Sequence, residues 1–462
     1  MIDQVTVLGP VESGAGLANA AKQDLGAAGY TEAEYFVEGE ATSLVLVGER
    51  TTDGRWEAVP DRTAAFRTRM VVRRPIDPTR FSGVVVVEWF NVSAGGDSDP
   101  GWAFLYPELV REGHVWVGVS AQAVGVDGGP SAGGGAALVG GLVPGDRERY
   151  GSLVHPGDGY SFDIYSRVGA ALLAPDGPDP LGGLEPSNLV AIGVSQSALY
   201  LTTYVNAVHP LVRVYDSFLL HSRAGMAPTL NGLQIGGGGG VEGAARGVPV
   251  QIRTDLTVPV LIFQTETDLT VLGYARARQD DTDTVRIWEV AGTAHADAYI
   301  LAELYGFDPE GGAMPGSSVR LNNGPQHEVL LAGFHHLVGW MRDGLVPPAS
   351  PRLEVDMSGA EPVIVRDERG NARGGIRTPL VDVPVATLSG DPVEGSGMLG
   401  ALSGFTEPFD ESTLAELYPT HGDYIDAFIA SADASVAAGF ILRREADALI
   451  ATAYDDQPSR PE

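Results

Sequence analysis

One pattern constrains this chain more than any other: short runs of β-branched apolar residues take turns with segments of helical periodicity. Val84–Trp89 (VVVVEW) is the clearest run, continuous rather than alternating, as in a strand buried on both faces. After it come a helix near residues 103–112, a strand over 115–120, a helix near 162–173 and a strand over 189–194. A helix from Ser195 to about Val208 continues the series, then strands over 214–220, 258–264 and 285–290 and a helix over 326–342. This alternation predicts an α/β protein with a mostly parallel central sheet and helices on both faces. Ahead of it, residues 33–47 and 64–74 read as extended strands separated by the turn-rich TTDGRW, an antiparallel opening pair.

Two long Gly-rich insertions interrupt the pattern, at about 122–159 (with GGPSAGGGAALVGG) and 224–255 (with QIGGGGGVEGAARG). Insertions of this length are expected to be lids or flexible connectors. The character changes again after Pro347-Pro348. Residues 1–345 are expected to form the catalytic domain and 346–462 a carboxy-terminal extension packed on it as cap or brace. In that extension, residues 421–439 place Ile425, Phe428, Ile429, Ala432 and Val436 on one helical face, with Gly439 as the stop.

Composition narrows the chemistry. The 462 residues include no cysteine, which excludes disulfides, thiolate metal sites and a cysteine nucleophile. With 60 acidic against 30 basic residues the net charge is −30, and Lys22 is the only lysine; nucleic acid and anionic membrane surfaces are poor partners for such a chain. No run of about 18 apolar residues occurs, and the opening MIDQVTVLGPVESGAG lacks the basic and apolar segments of a secretory signal, so a cytoplasmic location is expected. No phosphate-binding GxxxxGK[ST], dinucleotide GxGxxG or HExxH motif is present, and no cofactor or metal is expected.

The segment Gly193-Val194-Ser195-Gln196-Ser197 directly follows the apolar strand NLVAI and opens the helical run ALYLTTYVNAV. That is the context of a nucleophile elbow: a serine on a sharp strand-to-helix turn, its hydroxyl above the sheet and the helix N-terminus facing developing negative charge. The competing reading of Ser195 is an ordinary helix cap. Gly118-Val119-Ser120 also ends an apolar strand, but AVGVDGGPSAGGG after it cannot begin a long helix, so Ser120 has no elbow. Of the nine histidines, His295 in AGTAHAD lies past the strand RIWEV, where a loop can return it to the serine as base. His327, at a helix start, is the second candidate, and His335 and His336 fall inside that helix. The orienting acid is expected after the strand PVLIF, where QTETDL offers Asp268 or Glu266; Asp268 lies farther past the strand end.

The oxyanion donors are expected to be the backbone N–H of Gln196 and a group in the loop Trp89–Gly96, with Asn91 or Phe90 as candidates. Glu88 is either near the site or part of a structural ion pair with an arginine. Asp97 and Asp99 lack the spacing of a calcium loop and read as solvated turn residues.

The segments RTRMVVRRP, VVVVEWFNVSAGGD, RYGSLVHPGD, GVSQSA, LLHSR, QTETDL, EVAGTAHAD, NNGPQH and GGIRTPLVDVPVATLSG together resemble a bacterial family of alpha/beta hydrolase domain proteins with a long carboxy-terminal region. The resemblance spans about residues 5–455. It implies an α/β-hydrolase fold and hydrolysis of small-molecule carboxylic esters, with the elbow on Ser195, the acid in QTETD and the histidine on His295. The Gly-x-Ser-x-Ser form departs from the wider Gly-x-Ser-x-Gly pattern. An acyltransferase using the same residues, or a binding module on a hydrolase fold, are the competing functional readings.

Overall fold

The computed structural model describes residues 4–132, 136–232, 247–308, 319–393 and 397–455. They divide into two compact units, residues 1–260 with 277–285 and residues 261–276 with 286–462. The first holds seven strands: β1 (Thr6–Leu8), β2 (Tyr30–Val47), β3 (Glu57–Pro75), β4 (Val84–Trp89), β5 (Val115–Val119), β6 (Asn188–Val194) and β7 (Ser217–His221), in the order β1-β2-β3-β5-β4-β6-β7. The opening pair is antiparallel as expected, running from Tyr30 opposite Pro75 to Val47 opposite Glu57. β3 then meets β5 antiparallel, and β5, β4, β6 and β7 are parallel throughout. All six residues of β4 and all five of β5 are buried, which is why they read as unbroken apolar runs.

The order β5-β4-β6-β7 reverses between β4 and β6. Helix Pro100–Glu112 connects β4 to β5, helix Ser161–Leu173 lies between β5 and β6, and helix Gln196–Thr203 leaves β6. Right-handed crossovers place the first helix on one face of the sheet and the later ones on the other. Where the strand order reverses, the loops leaving β4 and β6 diverge and open a crevice at the carboxyl ends of the strands. Ser195 and the loop after Trp89 both emerge there.

The described part of the first Gly-rich insertion is a bonded layer rather than a loose connector. Backbone N–H groups of Gly129, Ala132 and Val139 donate to the carbonyls of Gly95, Ser93 and Ala94 at 3.0, 2.8 and 3.0 Å. Gly96 has to be glycine, since a Cβ there would stand 2.2 Å from the Gly140 oxygen. The glycine-rich heart of the second insertion, residues 233–246, lies outside the described residues.

In the second unit β8 (Val260–Gln264) and β9 (Val285–Glu289) are neighbours. The chain beyond Pro347 packs on β9: the Trp288 indole donates to the Pro348 carbonyl at 3.0 Å, Leu353 N–H to the Glu289 carboxylate at 2.9 Å and Ile376 N–H to the Glu289 carbonyl at 2.7 Å. Helix His421–Ala437 opens with a Thr420/Asp423 capping box and buries Tyr424, Ile425, Phe428, Ala432 and Ser435. Ile429 and Val436 lie on the flank of that stripe, half-buried, because the stripe is centred on Tyr424, Phe428 and Ser435. Among the described residues no helix is long and apolar enough to cross a membrane.

Candidate active site

β6 ends at Val194, and Ser195 follows in a left-handed conformation, φ 58° and ψ −118°, before Gln196 opens its helix. A non-glycine residue held there stores backbone strain, of order 1–3 kcal/mol. Gly193 has no room for a side chain, since a Cβ would sit 2.8 Å from the Ser197 backbone. The unusual Ser197 has a function in the turn: its hydroxyl donates to the Val194 carbonyl and accepts from the Val194 N–H, both at 2.9 Å. The Ser195 N–H donates to the His221 carbonyl on β7 at 2.9 Å, completing the support of the turn.

The Gln196 side chain ties this elbow to the neighbouring loops. Its Oε1 accepts from the Val92 N–H at 3.4 Å and its Nε2 donates to Gln122 Oε1 at 2.8 Å, an oxygen that also accepts from the Trp89 indole at 3.1 Å. Gln122 leads to Asp158, which accepts from the Ala123 N–H and the Tyr200 hydroxyl, each at 2.9 Å. Neither Gln122 nor Asp158 was singled out from sequence; the available signals were the position of Gln122 just past a strand end and that of Asp158 at the end of RYGSLVHPGD.

Asn91 is placed differently from the expectation. Its N–H donates to the Ser98 carbonyl at 3.0 Å and its Nδ2 to the Val194 carbonyl at 2.9 Å, so its backbone amide closes a turn instead of facing an oxyanion. The Phe90 amide is likewise committed, to the Val119 carbonyl at 3.2 Å. The Gln196 amide, first in its helix, has no intrahelical acceptor.

Asp97 and Asp99 are not solvated turn residues, which corrects the sequence reading. Asp97 accepts from Arg69 at 2.9 Å and from Ser120 Oγ at 2.5 Å, and Asp99 accepts from Arg73 at 2.7 Å. The arginines come from β3 and are fully buried, so their charges demand buried carboxylates, a pairing across sequence that no local pattern announces. Ser120 is held within the same network. Glu88 is fully buried but not paired with arginine: it accepts from the Gly101 and Trp102 N–H groups at 2.7 Å and the Trp116 indole at 3.0 Å. Burial, with the nearby Asp99 carboxylate, pushes its carboxyl up to about 8.

In the second unit, β8 runs into Thr265, which caps the short helix Glu266–Thr270 in a box with Asp268. One Asp268 oxygen accepts from the Thr265 N–H at 2.7 Å; the other lies 2.6 Å from His295 Nδ1, with Asp268 fully buried. The His295 ring thus presents its Nδ1 to this carboxylate. Glu266 points elsewhere. Its carboxylate accepts from the Gly292 N–H at 2.6 Å, the Gly390 N–H at 3.1 Å and Arg366 at 3.0 Å.

His327 stacks face to face on Tyr299, ring centroids 4.1 Å apart, beside the Glu328 carboxylate at 3.2 Å. Burial is the largest influence and lowers its pKa, but the charge and hydrogen bond of Glu328, with the Asp297 and Glu445 charges, together outweigh it and raise the value. His336 contacts the Gly439 carbonyl at 2.9 Å and the Trp288 ring edge, a structural placement.

These local geometries sit within a sequence whose residues 7–451 match the family model for an alpha/beta hydrolase domain. The chain belongs to the alpha/beta hydrolase domain family. It is similar to solved structures at low identity: a Klebsiella pneumoniae protein described as a dienelactone hydrolase (12% identity, TM-score 0.33, 67% of this chain and 99% of that one). Others are fungal esterases from Rhizomucor miehei (13%, 0.32, 66% and 84%) and a Lactobacillus plantarum protein described as a carboxylesterase (12%, 0.31, 66% and 99%). A search of curated proteins returned no match.

Proposed function

We propose that this member of the family is a serine hydrolase of carboxylic esters, with Ser195 as nucleophile, His295 as general base and Asp268 as the acid that orients the imidazole. Ser195 Oγ attacks the ester carbonyl carbon while His295 Nε2 takes its proton. The tetrahedral intermediate collapses, the ester C–O bond breaks and the alcohol leaves with that proton. Water, deprotonated in turn by His295, then attacks the acyl-enzyme, and the acid departs as Ser195 regains its proton. The Gln196 N–H at the helix start is one donor to the oxyanion.

The observation that carries this reading is the left-handed Ser195 between β6 and its helix, supported by the 2.6 Å bond between Asp268 and His295. An ordinary helix cap takes extended backbone and needs no such strain. The test is release of p-nitrophenolate from short-chain p-nitrophenyl esters by the purified chain, beside Ser195→Ala and His295→Asn. Turnover by the native chain and its loss in both variants are expected; turnover surviving in a folded Ser195→Ala overturns the reading.

A further inference from the structure

The loop that carries His295 is short, and several of the polar contacts that fix it come from far along the chain. Ala291 N–H donates to the Ile376 carbonyl at 3.0 Å and Ala296 N–H, next to the histidine, to the Leu402 carbonyl at 2.9 Å. Asn322 Nδ2 bridges the carbonyls of Gly292 and Ser389 at 3.0 and 3.1 Å. At the centre lies Glu266, whose two carboxylate oxygens take the Gly292 N–H on one side and the Gly390 N–H and Arg366 guanidinium on the other. Arg366 is itself held by Asp391 at 2.9 Å and the Gly370 carbonyl at 3.1 Å. Thr267 Oγ1 donates to the Gly390 carbonyl at 2.8 Å, so the turn bearing Asp268 is anchored to the same segment.

We propose that the Glu266–Arg366 pair is a positioning device through which the carboxy-terminal region sets the alignment of Asp268 with His295. Glu266 stands two residues from Asp268 on one short helix and bonds the histidine loop three residues before His295, so a single side chain links acid turn and base loop. Its carboxylate is fully buried and needs all three donors; without Arg366 it is left with two amides and an uncompensated charge. The loop then shifts, and a displacement of about 1 Å in a catalytic group costs on the order of 10²-fold in rate. Glu266 and Arg366 touch no substrate in this scheme and act only through the dyad.

The inference rests on the ester-hydrolase reading for its kinetic arm alone. The experiment compares native chain, Arg366→Ala and Arg366→Lys by ester turnover and by the low-field proton resonance of the His295 Nδ1–H, identified by its absence in His295→Asn. Arg366→Ala is expected to lower kcat by roughly 10- to 100-fold with KM within about twofold, and to broaden or remove the resonance. Arg366→Lys keeps the charge and is expected to recover most of both. Unchanged kcat and an unchanged resonance in Arg366→Ala overturn the proposal, as does a loss confined to KM or to thermal stability. If that variant does not fold, Asp391→Asn, which loosens Arg366 from the surface, must lower kcat severalfold; no loss overturns the proposal. A native chain without ester turnover whose resonance is removed by Arg366→Ala refutes the ester reading and supports the positioning role. A native chain with no such resonance contradicts the Asp268–His295 bond and overturns the proposal.

Discussion

The proposed nucleophile and the proposed base are held by opposite strategies. Ser195 is fixed locally: a strand, a strained residue and a helix within residues 188–203, with Gly193 and Ser197 shaping the turn itself. His295 is fixed remotely, by Asp268 from another loop and by segments 70 to 110 residues downstream that reach its loop through Glu266, Asn322, Ile376 and Leu402. A nucleophile needs one exposed oxygen in one place, which backbone geometry can dictate. A base needs a ring in one tautomer and one orientation, which takes partners on several sides.

The largest losses are expected at the two chemical groups themselves. Ser195→Ala is expected to lower kcat by roughly 10⁴- to 10⁶-fold with folding intact, measured by ester turnover and circular dichroism. Asp268→Asn should lower kcat by roughly 10⁴-fold, since the amide holds the wrong imidazole tautomer. A smaller effect at Asp268 than at Glu266 would reverse the assignment of orienting and positioning acids.

Stability tests separate the two regions next. Arg69 is fully buried and donates to Asp97, Glu34, Ser120 and the Ala18 carbonyl. Arg69→Met leaves the buried Asp97 carboxylate without a cation, while Glu34 keeps Arg149, and is expected to cost about 3–5 kcal/mol in urea unfolding. On the base side, burial pushes the Asp297 carboxyl up to about 7 while it accepts from the Ile300 N–H and Gln326. Its folded value lies above the unfolded one, near 4, so the folded state holds the extra proton between about pH 4 and pH 7. Its contribution to stability is therefore complete below about pH 4 and lost as pH rises through 7. Asp297→Asn should remove that decline, a difference of up to about 4 kcal/mol between pH 4 and pH 8 in denaturation midpoints converted to free energy. The smallest expected effect is Ser195→Gly, which relieves the left-handed strain and should stabilise the chain by about 1 kcal/mol while abolishing turnover.

What could be read from sequence follows the same division. The elbow, β4 and the crossover helices were legible because their signals are local: an unbroken apolar run means burial on both faces, and a serine between strand and helix means a turn. The pairing of His295 with a carboxylate of QTETDL was expected from order along the chain, and the structure brings His295 to Asp268; the sequence left Asp268 and Glu266 open, since those three residues carry no information about what each carboxylate faces. Glu266 turned out to face Gly292, Gly390 and Arg366, contacts up to 124 residues away. Asp97 and Asp99 were misread for the same reason: the charges that bury them sit on β3, 26 and 28 residues earlier. For Asn91, only the structure shows that its backbone amide closes a turn on Ser98.

The most direct measurement on the central claim is intact mass after incubation with a fluorophosphonate, with Ser195→Ala alongside. An activated serine at the elbow predicts one adduct per native chain and none on the variant. A folded native chain that takes no adduct, or a Ser195→Ala chain that still takes one, contradicts it.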